Sequence, residues 1–335
     1  MTTAGGSPQT IVIAGRGVVG LTTAYYLALM GLDVEVWSVA RRRPSSHAAC
    51  ALFLPYFGTS TGIRMDEWTR LSWDCFSRIG AVDASGVRPI RMIEMYREPV
   101  PVPDVLQRLT PVRAYRRFDL PRDFSYVWDF RTWLIDMPIY MAYLERRCAQ
   151  AGVRFMDRMC SPDAVSADDA VAVVNCTGYW SIFEFGSRDI EPVRGQAILL
   201  PKAPLDFALG GDEFMIAPRQ DGILFGSLWQ RGRTSGDATV IDTRRLLDEL
   251  QMWSRSPVLR SLKLRIDSPD VQVALAGVRP YSEHGSFVRV GRSACGTVPI
   301  VHNTGHGGSG VALSWGVAAE VHATLADLLR FARQW

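Results

Sequence analysis

The sequence predicts an α/β fold: a βαβ unit whose sheet is completed by distant segments, with an antiparallel sheet inserted between them. Three observations carry this. The apolar run Ile11-Val12-Ile13-Ala14 leads into a glycine-rich turn, Gly15 to Gly20, and then into a helical stretch. Two further apolar runs, Ala170 to Val174 and Pro299 to His302, lie far down the chain and lead into polar or glycine-rich turns. From Arg194 to Arg289 the pattern changes to short apolar runs separated by polar turns, as an antiparallel sheet requires.

The first run reads as a buried parallel strand, because it is apolar on both faces. Val18 to Met30 reads as a helix stopped by Gly31, and Asp33 to Trp37 as the next strand, closing a βαβ unit. Met65 to Ile79 reads as a helix, and Pro99, Pro101 and Pro103 as a loop or sheet edge. Trp133 to Gly152 carries Leu134, Met137, Met141 and Leu144 at helical spacing, so a helix is expected over that whole range, followed by the short strand Val153-Arg154-Phe155. Ala170 to Val174 is a buried strand ending at Asn175-Cys176-Thr177-Gly178. In the inserted region Ala197–Leu200, Phe214–Ala217, Ile223–Gly226 and Phe287–Val290 read as strands of one antiparallel sheet. Pro299 to His302 is a last strand, Gly305 to Gly310 a turn, and Val311 to Phe331 a long helix.

Composition narrows the function. With 37 basic and 34 acidic residues the net charge is +3, too near neutral to call for a nucleic-acid partner. No apolar run approaches the roughly 18 residues of a membrane span, and the first residues, MTTAGGSPQT, lack a basic leader, so neither membrane nor secretion is expected. The six cysteines form no CxxC pair and no zinc-ligand spacing with histidine; reduced thiols in a cytoplasmic protein, with no metal, are the expectation.

Gly15-Arg16-Gly17-Val18-Val19-Gly20 is GxGxxG between a strand and a helix, the context that gives the motif meaning. Gly15 permits the tight turn, Gly17 lets backbone approach a diphosphate, and Gly20 lets helix and strand pack closely. The acid that ordinarily follows the second strand and binds a ribose is missing from Val36-Trp37-Ser38-Val39-Ala40, and Arg41-Arg42-Arg43 comes instead. Three readings stay open: an arginine meets a phosphate, as for NADP; the ribose is held by Ser38, backbone or water; or the arginines form a solvated loop.

Beyond the glycine motif, three segments carry a family resemblance. One is Ser45-Ser46-His47-Ala48-Ala49-Cys50-Ala51-Leu52-Phe53-Leu54-Pro55-Tyr56. Another is Val174-Asn175-Cys176-Thr177-Gly178-Tyr179-Trp180 with Arg194-Gly195-Gln196. The last is Val278-Arg279-Pro280 with His302-Asn303-Thr304-Gly305-His306-Gly307-Gly308-Ser309-Gly310. In this order and spacing the chain resembles the D-amino-acid oxidase family over nearly its whole length. The resemblance implies a Rossmann-like FAD-binding domain with an inserted antiparallel-sheet substrate domain. The first would comprise residues 8–60, 140–195 and 291–335, the second 61–139 and 196–290. It implies FAD contacts at Gly15, Gly17, Val18, Val19, Gly20, Ser38, Arg41, Ser45, Ser46, Ala51, Leu52, Thr177, Gly178, Arg279, Gly305, His306, Gly307, Gly308, Ser309 and Gly310. The helix start near Ser309 would face the pyrimidine end of the flavin and stabilise negative charge at N1 and O2. His302 and His306 are expected to be structural rather than general bases.

The resemblance places Arg279 where the family grips a substrate carboxylate, and its planar fork suits that task. It implies hydride transfer from Cα–H of a D-amino acid to flavin N5, with oxygen as acceptor and hydrogen peroxide as product. Two departures stand out. Met215 occupies a position where the family has a carboxylate-binding tyrosine, and the segment Leu209 to Glu213 is shorter than the mammalian lid. These departures suit a larger or more apolar amine, or one held on a carrier protein, with Tyr281, Phe53, Trp229 and Tyr56 as pocket walls or ordinary core. A tailoring enzyme on the same fold, a catalytically inactive flavin scaffold and an NADP-dependent reductase are the competing readings, and a homodimer is compatible with all of them.

Overall fold

The computed structural model describes residues 10–39, 43–54, 63–117, 120, 124–166, 169–211, 214–254, 271–292 and 298–332. Arg41, Arg42, Pro55, Tyr56, Asp212, Glu213, Cys295 and residues 1–9, on which some expectations fell, lie outside them.

In chain order the elements are β1 (Thr10–Ala14), α1 (Val18–Leu29), β2 (Asp33–Ser38), α2 (Ile63–Ile79), β3 (Val87–Tyr96), α3 (Asp104–Leu109), β4 (Val112–Arg116), β5 (Tyr126–Ile135), α4 (Met137–Gln150), β6 (Arg154–Asp157) and β7 (Ala172–Asn175). Then follow α5 (Ser181–Glu184), β8 (Glu191–Leu200), β9 (Phe207–Gly211), β10 (Met215–Pro218), β11 (Ile223–Gly226), β12 (Gln230–Arg231), α6 (Val240–Ser254), β13 (Val273–Tyr281), β14 (Phe287–Arg292), β15 (Pro299–Thr304) and α7 (Gly310–Ala332).

Two sheets organise these elements. The six-stranded sheet runs β14-β15-β7-β1-β2-β6. It is parallel except at β14, which pairs antiparallel with β15. Its order reverses between β1 and β7, so the crevice at the carboxyl ends of these strands is the natural ligand site of such a sheet. The second sheet has nine strands, β12-β8-β11-β10-β9-β3-β5-β4, with β13 added along β8. It is antiparallel apart from one parallel pair, β3 with β9.

Helices α1 and α7 pack on the first sheet, α4 on α1 and α2 on α7, in a shared core that includes Ile13, Leu21, Phe76, Tyr140, Leu144 and Val321. A second core, with Phe124, Phe214, Phe225, Leu250 and Trp253, fills the space between α6 and the nine-stranded sheet. Since parallel strands have both faces covered, β1 and β7 are apolar at nearly every position.

Two expectations need correction. Trp133 to Ile135 belongs to β5, and the helix begins only at Met137; the single residue Asp136 separates them, so the apolar positions run on without a visible break. Phe287 to Val290, expected in the antiparallel sheet, instead belongs to β14 at the edge of the first sheet, where Val288 pairs with Asn303. A strand's pattern states which residues are buried, not which sheet receives them. Strands β3, β4, β5 and β13 and helix α6 were not evident in the sequence.

Helices α2 and α7 approach so closely that a Cβ on Gly316 would overlap the Trp68 backbone. Gly316→Ala must push the helices apart, and a loss of about 1–3 kcal/mol is expected for such overpacking, checked by urea denaturation of the purified protein.

Candidate active site

The carboxyl edge of the parallel sheet gathers the motifs that were far apart in sequence. Ala14, Trp37, Asn175 and His302 stand level across β1, β2, β7 and β15. The turns that follow them therefore share one rim: Gly15–Gly20, Ser38, Thr177–Gly178 and Gly305–Gly310. Gly15 adopts φ +107°, and a Cβ there would lie 2.6 Å from the Cys176 carbonyl oxygen. A Cβ on Gly20 would overlap the Gly15 carbonyl, which locks α1 against the turn. The Val18 N–H donates to Ser46 Oγ at 3.0 Å, so the Ser45–Ala48 turn sits on the start of α1. The first intrahelical bond is Leu21 N–H to Gly17 O, leaving the N–H groups of Val19 and Gly20 for an anion.

The second glycine turn is held by buried polar groups. Asn303 donates to Thr23 Oγ1 on α1 at 3.2 Å, and its Oδ1 lies 3.0 Å from His306 Nε2. Asn175, fully buried, accepts from the Thr177 N–H and hydroxyl and lies 3.0 Å from His302 Nδ1. Helix α7 opens with Leu313 N–H bonding Ser309 O, so the N–H groups of Gly310, Val311 and Ala312 point out of the helix. His306 Nδ1 and Ser309 Oγ are buried with no hydrogen-bond partner among the described residues. Two helix starts with free donors, and two orphaned polar atoms beside the second, fit a long cofactor carrying a diphosphate at one end and a polar ring at the other. FAD meets that description.

Arg279 extends from β13, directly across from Val193 on β8. Its Nη1 donates to Leu228 O at 3.1 Å and its Nη2 to Ser227 Oγ at 2.6 Å, and the guanidinium lies 5.3 Å from the Trp229 ring. Gly195 leaves the room it occupies: a Cβ there would overlap the guanidinium. Burial pulls its pKa down to about 10, only weakly opposed by Cys50, so it stays charged at neutral pH. No carboxylate among the described residues pairs with it. The contrast is Arg194, one residue from Val193. Arg194 bonds Asp242, Gln230, Gln196 and the Asp237 carbonyl through both of its terminal nitrogens.

Other expected site residues fall into place or out of it. Met215 begins β10 and packs with Leu52, Leu54 and Ala217, half-buried on the sheet face nearest Cys50. Ala51, buried, holds φ +38°, the left-handed region. Leu52 bridges Leu134, tying this segment to β5. Phe53 is a correction: fully buried, it packs edge-on against Trp73 and Phe76 in the nucleotide-sheet core. Chain alternation sends Leu52 and Leu54 to the opposite side, so Phe53 is no pocket wall. Tyr281 is half-buried, bridges His306 and meets Trp229 edge-on at 5.6 Å.

No carboxylate follows β2 in the described residues. Glu35, within that strand, is engaged by Trp37 and Arg154. Residues that sequence reasoning passed over are Thr23 and Ser227 and the Leu228 carbonyl, none of which carries a motif. Cys50, also unremarked, has its thiol pushed up to about 12 by burial despite Arg219 and Arg279, so it is no nucleophile.

A cofactor spanning from one helix start to the other, beside a charged anchor on a separate sheet, is the plan of a flavin-dependent oxidoreductase. The sequence model of the family described as FAD dependent oxidoreductase (DAO) matches residues 10–324, and the chain belongs to that family, with FAD as its cofactor. The D-amino-acid oxidase of Rubrobacter xylanophilus is 30% identical over 322 residues, 93% of this chain and 94% of that protein. The D-amino-acid oxidase of Streptomyces coelicolor is 31% identical over 330 residues, 92% and 94% of the two chains. Glycine oxidase from Geobacillus kaustophilus superposes with a TM-score of 0.71 at 17% identity, covering 93% of this chain and 94% of that one. Among the described residues no helix is long and apolar enough to cross a membrane.

Burial pulls the His306 pKa down to about 4 from an ordinary 6.5, opposed in part by Asn303. Above 6.5 both folded and unfolded chains hold it neutral. As the pH falls from 6.5 to 4 the unfolded chain takes a proton that the folded chain refuses, so stability drops across that window and levels off below it. His306→Gln should show a shallower fall in Tm between neutral pH and about 4 than the parent protein, measured by thermal denaturation at a series of pH values.

Proposed function

We propose that the chain is an FAD-dependent oxidase of amino acids, D-amino acids foremost, and that Arg279 is the anchor for their α-carboxylate. The observation that carries this reading is a part-buried guanidinium, held by the Leu228 carbonyl and the Ser227 hydroxyl and without a carboxylate partner among the described residues. Enclosing a cation costs several kcal/mol unless a counter-charge meets it. A substrate carboxylate meets it, through two parallel N–H···O bonds. The curated relatives named above are D-amino-acid oxidases, which supports the same substrate class.

Each residue's part follows from its placement. Arg279 fixes the carboxylate, and Ser227 Oγ with Leu228 O fixes Arg279. The free N–H groups at the start of α7 face the ring end of the cofactor site and favour negative charge there. His306, neutral and bonded to Asn303, orients the turn and is given no proton to carry. The amine therefore loses its proton to water before binding. FAD supplies the two-electron acceptor for the Cα–H hydride, with oxygen as final acceptor and hydrogen peroxide as product. The imine leaves and hydrolyses to the keto acid and ammonia. The described cysteines are free, in keeping with a reducing, cytoplasmic compartment.

The reading makes an unusual demand on Arg279→Met. A structural ion pair would lose stability on substitution, whereas an unpaired buried cation leaves Tm unchanged or higher when replaced by an apolar side chain of similar length. Carboxylate affinity should fall by about 2–5 kcal/mol. Anaerobic reduction by a panel of D-amino acids, with peroxide release in air, tests the activity; a large Tm loss with unchanged KM in the variant would make Arg279 structural and defeat the assignment.

A further inference from the structure

We propose that the outer corner of the nine-stranded sheet, where β3, β5 and β4 lie side by side, binds a small organic phosphate. Two arginines take the phosphate, and an adjoining apolar hollow takes the ring or chain that bears it. The proposal is independent of which amine the protein oxidises.

The register of the sheet assembles this corner. Alternation along β3 turns Arg91, Ile93 and Met95 to one face. Directly across from them on β5 stand Arg131, Asp129 and Val127. On β4, Arg113 and Tyr115 stand across from Asp129 and Val127. The intervening residues of β5 serve the opposite side: Thr132 donates to Phe53 O, and Leu134 bridges Leu52. The arginines are therefore on the far side of the sheet from the segment expected along the cofactor. Helix α6 packs on β8 and β11, and the core beneath it takes in Met95, Val127 and Leu209. Toward β4 the same face opens to solvent, with Arg91, Arg113, Tyr115 and Arg131 exposed.

Two hollows meet there. A groove of about 560 Å³ is lined by Arg91, Arg113, Arg131, Asp129 and Thr110, within the roughly 300–1,000 Å³ of small-molecule sites. A second hollow, of about 220 Å³, is lined by Ile93, Met95, Tyr115, Val127 and Leu209. Arg91 lines both.

The charges decide what the groove accepts. Arg91 grips both oxygens of Asp129, through Nε at 2.9 Å and Nη2 at 2.6 Å, and Asp206 also acts on it. Arg113 lies 5.9 Å from the Tyr115 ring and within electrostatic reach of Asp129. Yet among the described residues neither Arg113 nor Arg131 makes a hydrogen bond or an ion pair. Arg131 also stands directly across the ladder from Arg91, and like charges so placed are destabilising. Two uncommitted guanidinium forks lining one groove suit a dianion rich in oxygen, which each fork meets with paired bonds. The second hollow is mostly apolar and gives the rest of the molecule a surface to cover.

The test is calorimetric titration of the FAD-loaded protein at about 0.15 M salt, where loose surface attraction is screened. Phenyl phosphate should bind at least about tenfold more tightly than inorganic phosphate, because its ring is buried as well. Arg113→Gln combined with Arg131→Gln should weaken both ligands at least about tenfold. The same pair changed to lysine keeps the charge, loses the forks and should fall between the parent and the glutamine pair. Tyr115→Ala should lose most of the gain from the ring and leave inorganic phosphate within about twofold of the parent. Arg279→Met should bind phenyl phosphate as the parent does, which separates this groove from the cofactor side of the sheet.

The proposal is overturned if the parent takes up no phenyl phosphate, if binding survives the loss of both arginines, or if it vanishes with Arg279. It also falls if another occupant fills the groove. Binding to vesicles containing phosphatidic acid but not to phenyl phosphate would show a lipid surface there. A dimer that dissociates in the glutamine pair would show a second copy of the chain.

Discussion

The arrangement depends on one electrostatic constraint, the part-buried guanidinium of Arg279, which no carboxylate among the described residues meets. Withdrawing a cation from water without a counter-charge is costly. Gly195 gives up its side chain so that the fork can lie flat over β8, and the hydroxyl and carbonyl of Ser227 and Leu228 orient it without neutralising it. Arg194 shows that this is not a general shortage of acids on the sheet. That arginine, on the strand that pairs with β13, is met by Asp242 and a set of amide and carbonyl oxygens. One arginine is a structural clasp for α6; the other meets no carboxylate among the described residues.

The cofactor rim is organised by a second constraint, the joining of chain ends that are nearly the whole sequence apart. Thr23 on α1 and Asn303 on β15 are 280 residues distant, and their buried hydrogen bond ties the first helix to the strand that leads into α7. Asn303 passes the link on to His306, and Asn175 ties Thr177 to His302 on the neighbouring strand. Inside a protein such networks are worth more than isolated bonds and cost more when half-satisfied. The polar rim therefore fixes the spacing between the two glycine turns. A cofactor that must be gripped at both ends requires that spacing to be constant.

Much of this was legible in the sequence because it follows local rules. An apolar run, a glycine turn and a helix can mean little else than β1 and α1, and the same grammar marks β7 and the start of α7. What stayed hidden is what depends on partners. Trp133 reads as helical because the strand and helix on either side of Asp136 are both apolar enough to share a period. Strand β14 reads correctly as a strand and wrongly as to its sheet. Phe53, Leu52 and Leu54 are equally apolar, and only the bridge to Leu134 decides which of them faces the core of the nucleotide sheet. Arg194 and Arg279 could not be told apart by charge, and Arg41, whose role bears on the ribose, lies outside the described residues.

If Arg279 is the carboxylate anchor proposed above, a thioether rather than a hydroxyl at Met215 would change what that anchor alone could do. Two parallel bonds from one guanidinium fix the plane of a carboxylate and its distance, but the rest of the molecule can still pivot about the bond to Cα. A neighbouring hydroxyl would remove that freedom; a thioether does not, since its sulfur is at best a weak acceptor. The remaining restraint has to come from surfaces that the substituents on Cα touch. Such restraint is non-directional, amounts to about 25 cal/mol for each Å² covered, and grows with the size of the side chain. Small substrates would then be held firmly but oriented poorly, and large apolar ones oriented by their bulk. In the hydride transfer proposed above, whose rate would depend on aiming one C–H bond, that would shift selectivity from affinity toward turnover.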